Sequence, residues 1–125
     1  MNIENFKNNW RFYDGFEGET EIILAIVQNK NLNIHIWEGY FDSIFGSPVL
    51  DGGGWRGFTR DYNQMERSFG NDDYVIKNID EYFHDFLIYA DKNYDDPEIA
   101  ECYRLLRDFL KFAMDNNYYI YVHVF

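Results

Sequence analysis

Six consecutive apolar residues, Ile22 to Val27, are bounded by Glu21 and Gln28. The run is rich in Ile and Val, too short for a helix standing alone, and without a polar face, which is the pattern of a strand covered on both sides. It predicts an inner strand over Glu21 to Gln28, around which the other elements are arranged. Gln28, Asn29, Lys30 and Asn31 then supply turn residues, and Leu32, Ile34 and Ile36 alternate with Asn33, His35 and Trp37. That spacing predicts an antiparallel hairpin whose second strand runs from Leu32 to Trp37. A third strand is expected over Tyr118 to Val124, where Ile120, Val122 and Val124 alternate with Tyr119, Tyr121 and His123, one face apolar and the other aromatic.

Two helices complete the expected core. Asn78 with Glu81 three residues on matches a helix-entry pattern, and Ile79, Phe83, Phe86, Leu87 and Ala90 mark a buried stripe for a helix over Asn78 to Ala90. Asp96-Pro97 opens the second, Pro97 to Asn116, with Asp96 as N-cap and Pro97 in the first position, where its missing N–H costs nothing. Its apolar stripe is Ile99, Cys102, Leu106, Phe109, Leu110 and Ala113. On its polar side Glu101/Arg104, Arg104/Asp108 and Lys111/Asp115 are spaced to neutralise one another. The fold class this predicts is α+β: a single domain over residues 1–125, an antiparallel sheet with two main C-terminal helices packed on it. A length of 125 residues suits one domain, and 21% aromatic content supports a folded chain despite its charge.

The other stretches are less regular. Ile3 to Tyr13 interleaves Phe6, Trp10, Phe12 and Tyr13 with polar residues and suits either a short helix or an arm covering a sheet edge. Asp14 to Glu19, with Gly15 and Gly18, reads as a loop. Four glycines between Gly52 and Gly57 argue for a shaped loop whose Trp55 and Phe58 fold back onto the core and whose Arg56 or Arg60 pairs with Asp51 or Asp61.

No motif of high catalytic specificity is present. The glycine stretch lacks the spacing of a phosphate-cradling loop. Cys102, the single cysteine, lies on a predicted buried stripe, excludes an internal disulfide and fits a reducing compartment. Asp91-x-Asn93-x-Asp95 starts like a calcium loop, but Asp96 and Cys102 stand where glycine and a bidentate glutamate belong, and the three histidines lack zinc-ligand spacing. No metal, no cofactor and no catalytic residue is therefore assigned. The competing enzymatic reading is a small hydrolase using His35 or His123 with a nearby carboxylate.

Charge is the strongest functional signal. The chain carries −11, which makes direct contact with nucleic acid unfavourable and a basic partner favourable. Between Asn71 and Glu101 ten acids face two lysines, Lys77 and Lys92, a net of −8 in one quarter of the length. Asp80, Glu81, Asp85, Asp91, Asp95 and Asp96 are expected to form one negative contact surface, with Asp51, Trp55 and Asp61 of the glycine loop as the second candidate. With neither a leader pattern nor an apolar run of spanning length, the expected location is the cytoplasm, away from membranes.

The Trp37-Glu38 strand end, the loop Leu50-Asp51-Gly52-Gly53-Gly54-Trp55-Arg56-Gly57-Phe58-Thr59-Arg60-Asp61, the Tyr82/Asp85-Leu87 helix and the closing helix-to-strand unit ending in tyrosines resemble the bacterial contact-dependent growth inhibition immunity proteins. The resemblance spans most of the chain. It implies a small cytoplasmic protein, monomeric or in a one-to-one heterodimer, that binds the toxic C-terminal domain of its cognate effector, often a nuclease, and blocks its active site. No binding residue carries over, because such families differ in the residues that meet the partner. An adaptor module without a toxin partner is the remaining class.

Overall fold

A computed structural model describes residues 3–48, 54–64, 69, 72–90, 92 and 94–125. The chain enters through a 3-10 turn, Ile3–Phe6, and a short strand β1, Asn9–Phe12. The hairpin β2, Glu21–Ile26, and β3, Asn29–Trp37, follows, and β3 runs without a loop into helix α1, Glu38–Phe45. Helix α2 is Gly57–Asn63, strand β4 is Tyr74–Ile76, helix α3 is Ile79–Leu87, helix α4 is Pro97–Asp115, and strand β5 is Ile120–Val124.

The five strands form one sheet in the order β1-β3-β2-β5-β4. The Ile/Val-rich run is thus the central strand, with Ile22, Leu24 and Ile26 wholly buried. The sheet is mixed where a purely antiparallel one was expected, because β1 pairs parallel to β3. The N-terminal arm explains this: after its 3-10 turn it lies along the edge of β3, with Phe12 opposite Ile36 and Phe6 edge-on to Phe109 of α4 at 5.3 Å. Both open readings of that arm were partly realised, as one helical turn followed by an edge strand. The other pairs, β2/β3, β2/β5 and β4/β5, are antiparallel.

The four helices among the described residues pack on the face of the sheet that carries Ile22, Leu24 and Ile26, an α+β fold. Along α4 the apolar stripe is buried as expected at Cys102, Leu106, Phe109, Leu110 and Ala113, with Tyr103 added and Ile99 only half-buried. The Asp96 side chain caps the helix, accepting from Glu98 N at 2.9 Å. In α3 Ile79, Phe83 and Phe86 are buried as expected, but the stripe is shifted toward Tyr82 and, beyond the helix end, Tyr89, whereas Leu87 and Ala90 face solvent. The reason is α2, which packs on a second side of α3 and draws Tyr82 inward against Phe58 at 5.0 Å.

The sequence pattern predicts neither helix α1 nor helix α2. Tyr40, Phe41, Ile44 and Phe45 lie at helical spacing and are buried, so α1 is held by its apolar face without a side-chain N-cap. Its last carbonyls are capped from elsewhere: Lys92 Nζ donates to Ser43 O at 2.8 Å and Ile44 O at 3.1 Å, and Asn63 Nδ2 to Phe45 O at 2.9 Å. Gly39 is required because the Trp37 ring folds over it, leaving 2.4 Å for any Cβ. Gly57 starts α2 at φ +54° with a Cβ position only 3.3 Å from Tyr82 Cα, a conformation and an approach that favour glycine. Phe58 folds into the core as expected, but Trp55 stays 43% exposed. No helix among the described residues is long and apolar enough to cross a membrane.

Candidate functional site

The acids expected to form one surface are divided by the helical pair. The two helices are antiparallel: Asp80 lies beside Met114 and Asn117 near the end of α4, while Phe86 stacks on Tyr103 at 4.4 Å. Asp95 and Asp96 sit at the opposite end of α4, a helix of 19 residues, which at 1.5 Å per residue is about 28 Å long. Asp80 and Asp95 are exposed, and neither has an ion pair among the described residues. Glu81 is half-buried and accepts from Asn78 Nδ2. Asp96 is occupied as the N-cap, and Asp91 lies outside the described residues.

Asp85 does not belong to a solvated face. Its Oδ2 accepts from Thr59 Oγ1 at 2.8 Å, and that hydroxyl lies 2.6 Å from the buried Tyr89 hydroxyl. The residue joins α2 to α3. Asp61 turns inward as well: its Oδ2 accepts from Tyr82 OH at 2.6 Å and Tyr74 OH at 2.9 Å, and Oδ1 from Arg60 Nε at 3.2 Å. Burial first pushes both phenols above their usual range, followed by the Asp61 charge at Tyr74 and by the bond to Asp61 at Tyr82. The expected Arg60/Asp61 pairing is present, but Asp61 is a strut between α2, β4 and α3, and Asp51 lies outside the described residues. Of the two described members of that second candidate set, Trp55 is the accessible one.

On α4, Glu101 and Glu98 pair across to Arg11 of β1, with Arg104 uninvolved, and Asp108 pairs with Arg107. Lys111/Asp115 is formed as spaced, at 2.8 Å. Arg11 therefore removes two of the ten clustered acids, and Lys92 is committed to the end of α1.

The second region of interest is the sheet face opposite the helices, which no element among the described residues covers. This corrects the expectation that β2 is covered on both sides: Ile23 and Ala25 are shielded only by side chains of adjoining strands. Register places His35 and His123 on either side of Ile23, and Asn33 and Tyr121 on either side of Ala25. The two histidines the sequence singled out are thus in one row, each with a carboxylate. His35 Nδ1 is 2.8 Å from Glu21 Oε2, and His123 Nδ1 is 2.7 Å from Asp73 Oδ2.

His35 has no nitrogen left for proton transfer. Its Nε2 meets Asn33 Oδ1 at 2.8 Å, the Asn33 amide being oriented by donation to Asn8 Oδ1 and Lys30 O, and the Trp10 ring stacks on it at 3.5 Å. With both ring nitrogens engaged beneath an indole, it is a structural histidine. His123 is more open and is one of three donors to Asp73, with Tyr121 OH and Val124 N–H. The Tyr121 bond first and the His123 bond next hold the Asp73 carboxyl below its ordinary range. Cys102 is fully buried, and burial pushes its thiol up, away from the reactive thiolate.

Between these walls runs a shallow groove of about 390 Å³, floored by Ile23 and Ala25, with Trp10 on one side, Tyr121 and His123 on the other, and Lys30 at one end. Sequence reasoning passed over this face, although the aromatic alternation of β5 was its one visible sign.

No family model, no curated protein and no solved structure matches the chain.

Proposed function

We propose that this chain is an immunity-type inhibitor: a cytoplasmic protein that binds the basic toxic domain of a contact-dependent growth inhibition effector, a nuclease, and occupies its nucleic-acid cleft. The observation that carries this reading is the excess of carboxylates on the helical side left unmatched by cations, with Asp80 and Asp95 exposed and unpaired among the described residues. Complementary charge of this kind speeds the encounter with a basic partner and selects against a wrong one. The resemblance described above supplies the partner class. Binding is favoured over catalysis because the candidate nucleophile is buried and His35 has both nitrogens engaged.

The purified C-terminal domain of the effector encoded beside this chain is the probe. Its association rate should fall as salt rises, and Asp80→Lys with Asp95→Lys should slow association further while circular dichroism stays unchanged. Asp85 is left out, since reversing it breaks the contact to Thr59. An unchanged rate in the double variant would sink the acidic interface, and a neighbouring gene encoding no secreted effector would sink the toxin partner. The hydrolase reading predicts turnover that disappears in His123→Ala; full inhibitor activity in that variant, with no hydrolysis by the parent protein, removes it.

A further inference from the structure

Eight large hydrophobic side chains are exposed among the described residues: Ile3, Trp10, Val27, Trp55, Val75, Leu87, Tyr119 and Phe125. Five of them, Trp10, Val27, Val75, Tyr119 and Phe125, belong to the open sheet face, following the outward alternation of β1, β2, β4 and β5. An apolar set gathered on one flat face marks an interface, whereas scattered ones do not. We propose that this face is where two copies of the chain pair, sheet against sheet.

Two observations select a second copy as the occupant. The first is charge. The chain carries −11, yet this face is close to neutral: Glu21 and Asp73 stand against Lys30, with Lys77 at its rim. Both carboxylates are tied to histidines. Both ammonium groups lie over tyrosine rings of the same face, Lys30 at 5.6 Å from Tyr121 and Lys77 at 6.0 Å from Tyr119, without an ion pair among the described residues. Elsewhere the surface is strongly negative, so two copies meeting by this face join neutral surfaces and keep their acids turned outward. A basic partner would gain least at this surface, and a polyanion would meet the field of the whole chain.

The second observation is shape. The face holds both a projection and a depression that suits it. Phe125 stands 79% exposed, and the groove over Ile23 and Ala25 is walled by Trp10, Tyr121 and His123. Phe125 and Tyr121 lie two residues to either side of His123 on alternate, same-face positions. A two-fold axis in the plane of contact, crossing the strands at His123, therefore brings Phe125 of each copy over Tyr121 and the adjoining groove of the other. Knob and hole on one surface are the condition for an isologous, closed pair.

The footprint limits the strength. The strands contain 27 residues, and at strand spacings of about 4.8 Å by 3.4 Å they present roughly 450 Å² per copy. Two copies together bury roughly 900 Å², below the ~1,200 Å² at which stable specific interfaces begin, so the pair is weak and a concentration-dependent equilibrium.

Sedimentation equilibrium over a wide range of protein concentration tests this independently of any toxin. The mass should rise from 15.1 kDa toward twice that value. Val75→Glu and Phe125→Ala, both on exposed positions, should each shift the equilibrium back to monomer by at least tenfold in dissociation constant with circular dichroism unchanged, whereas Asp80→Lys with Asp95→Lys should not weaken pairing. A protein monomeric at every concentration overturns the proposal, as does a dimer indifferent to both sheet-face variants. If the parent protein is monomeric and Val75→Glu instead abolishes capture of the effector domain, the face belongs to the partner and the pairing is refuted while the inhibitor reading stands.

Discussion

The two faces of the central sheet are lined with similar side chains and have different fates. Beneath the helices, Ile22, Leu24, Ile34, Ile36, Ile120 and Val122 meet the rings of α1 to α4 and are wholly buried. On the other face Trp10, Val75, Tyr119 and Phe125 keep between 39% and 79% of their surface in water. Polar groups divide in the same way. On the helical side, Asp61 and Asp85 are struts holding helices to one another through tyrosine and threonine hydroxyls. On the open side, Glu21 and Asp73 fix two histidines in a row without touching a helix. The contrast teaches that an aromatic or an acid in this chain is structural or available according to which face of one sheet it reaches.

The largest test of that contrast is apolar truncation. Phe86→Ala, under the helices and stacked on Tyr103, should cost about 3–5 kcal/mol in urea denaturation. Val75→Ala, 43% exposed on the open face, should stay within about 0.5 kcal/mol for dilute monomer. Equal costs would mean that the open face is covered under the conditions measured.

Next in size is the pair of histidines. Removing His35 leaves the buried Glu21 carboxylate without its partner, which should cost about 3 kcal/mol. His123→Ala should change stability little, because its pair with Asp73 is a third exposed on both sides. A His123 variant as damaged as the His35 variant would place both histidines in the structural class.

The smallest effect concerns pH and has opposite signs on the two faces. Burial raises the Glu38 carboxyl at the start of α1, the Phe69 N–H opposing and Asp42 adding to the rise, and Glu38 Oε2 has no hydrogen-bond partner among the described residues. A raised folded value means a contribution complete below the ordinary glutamate range and lost as pH climbs through the raised value. Glu38→Gln should therefore stabilise the fold at neutral pH by about 1 kcal/mol, with the gain vanishing near pH 4. Asp73 is depressed, so its contribution is complete above the ordinary aspartate range and lost as pH falls through the lowered value. Asp73→Asn should flatten the acid limb below about pH 4 and leave neutral stability curves parallel. Thermal melts from pH 3 to pH 8 read both.

The α+β class, the central strand, the β2/β3 hairpin, the last strand and nearly the full extent of α4 were legible in the sequence, because each rests on local signals: apolar periodicity, a proline at the first helical position and an N-cap. Helix α1 was not, since its stripe of Tyr40, Phe41, Ile44 and Phe45 begins immediately at a strand end, and its carbonyls are capped by Lys92 and Asn63 from distant stretches. Edge strands β1 and β4 have four and three residues, too few for alternation to show.

What the sequence determined alone is the period of each long element and therefore which residues share a side. What only tertiary structure decided is which sides are covered. Asp85 and Asp80 lie on one helix with the same side-chain chemistry, but α2 arrives over Asp85 and bonds it, whereas Asp80 stays exposed at the end of α4. Ile23 and Leu24 are neighbours in the same apolar run, yet the four helices among the described residues choose the face of Leu24. Periodicity is a property of the local backbone, whereas coverage depends on which distant elements come to rest there. In this chain that arrangement leaves Asp80 and Asp95 exposed on the helical side, while the acids of the open face, Glu21 and Asp73, are tied to histidines.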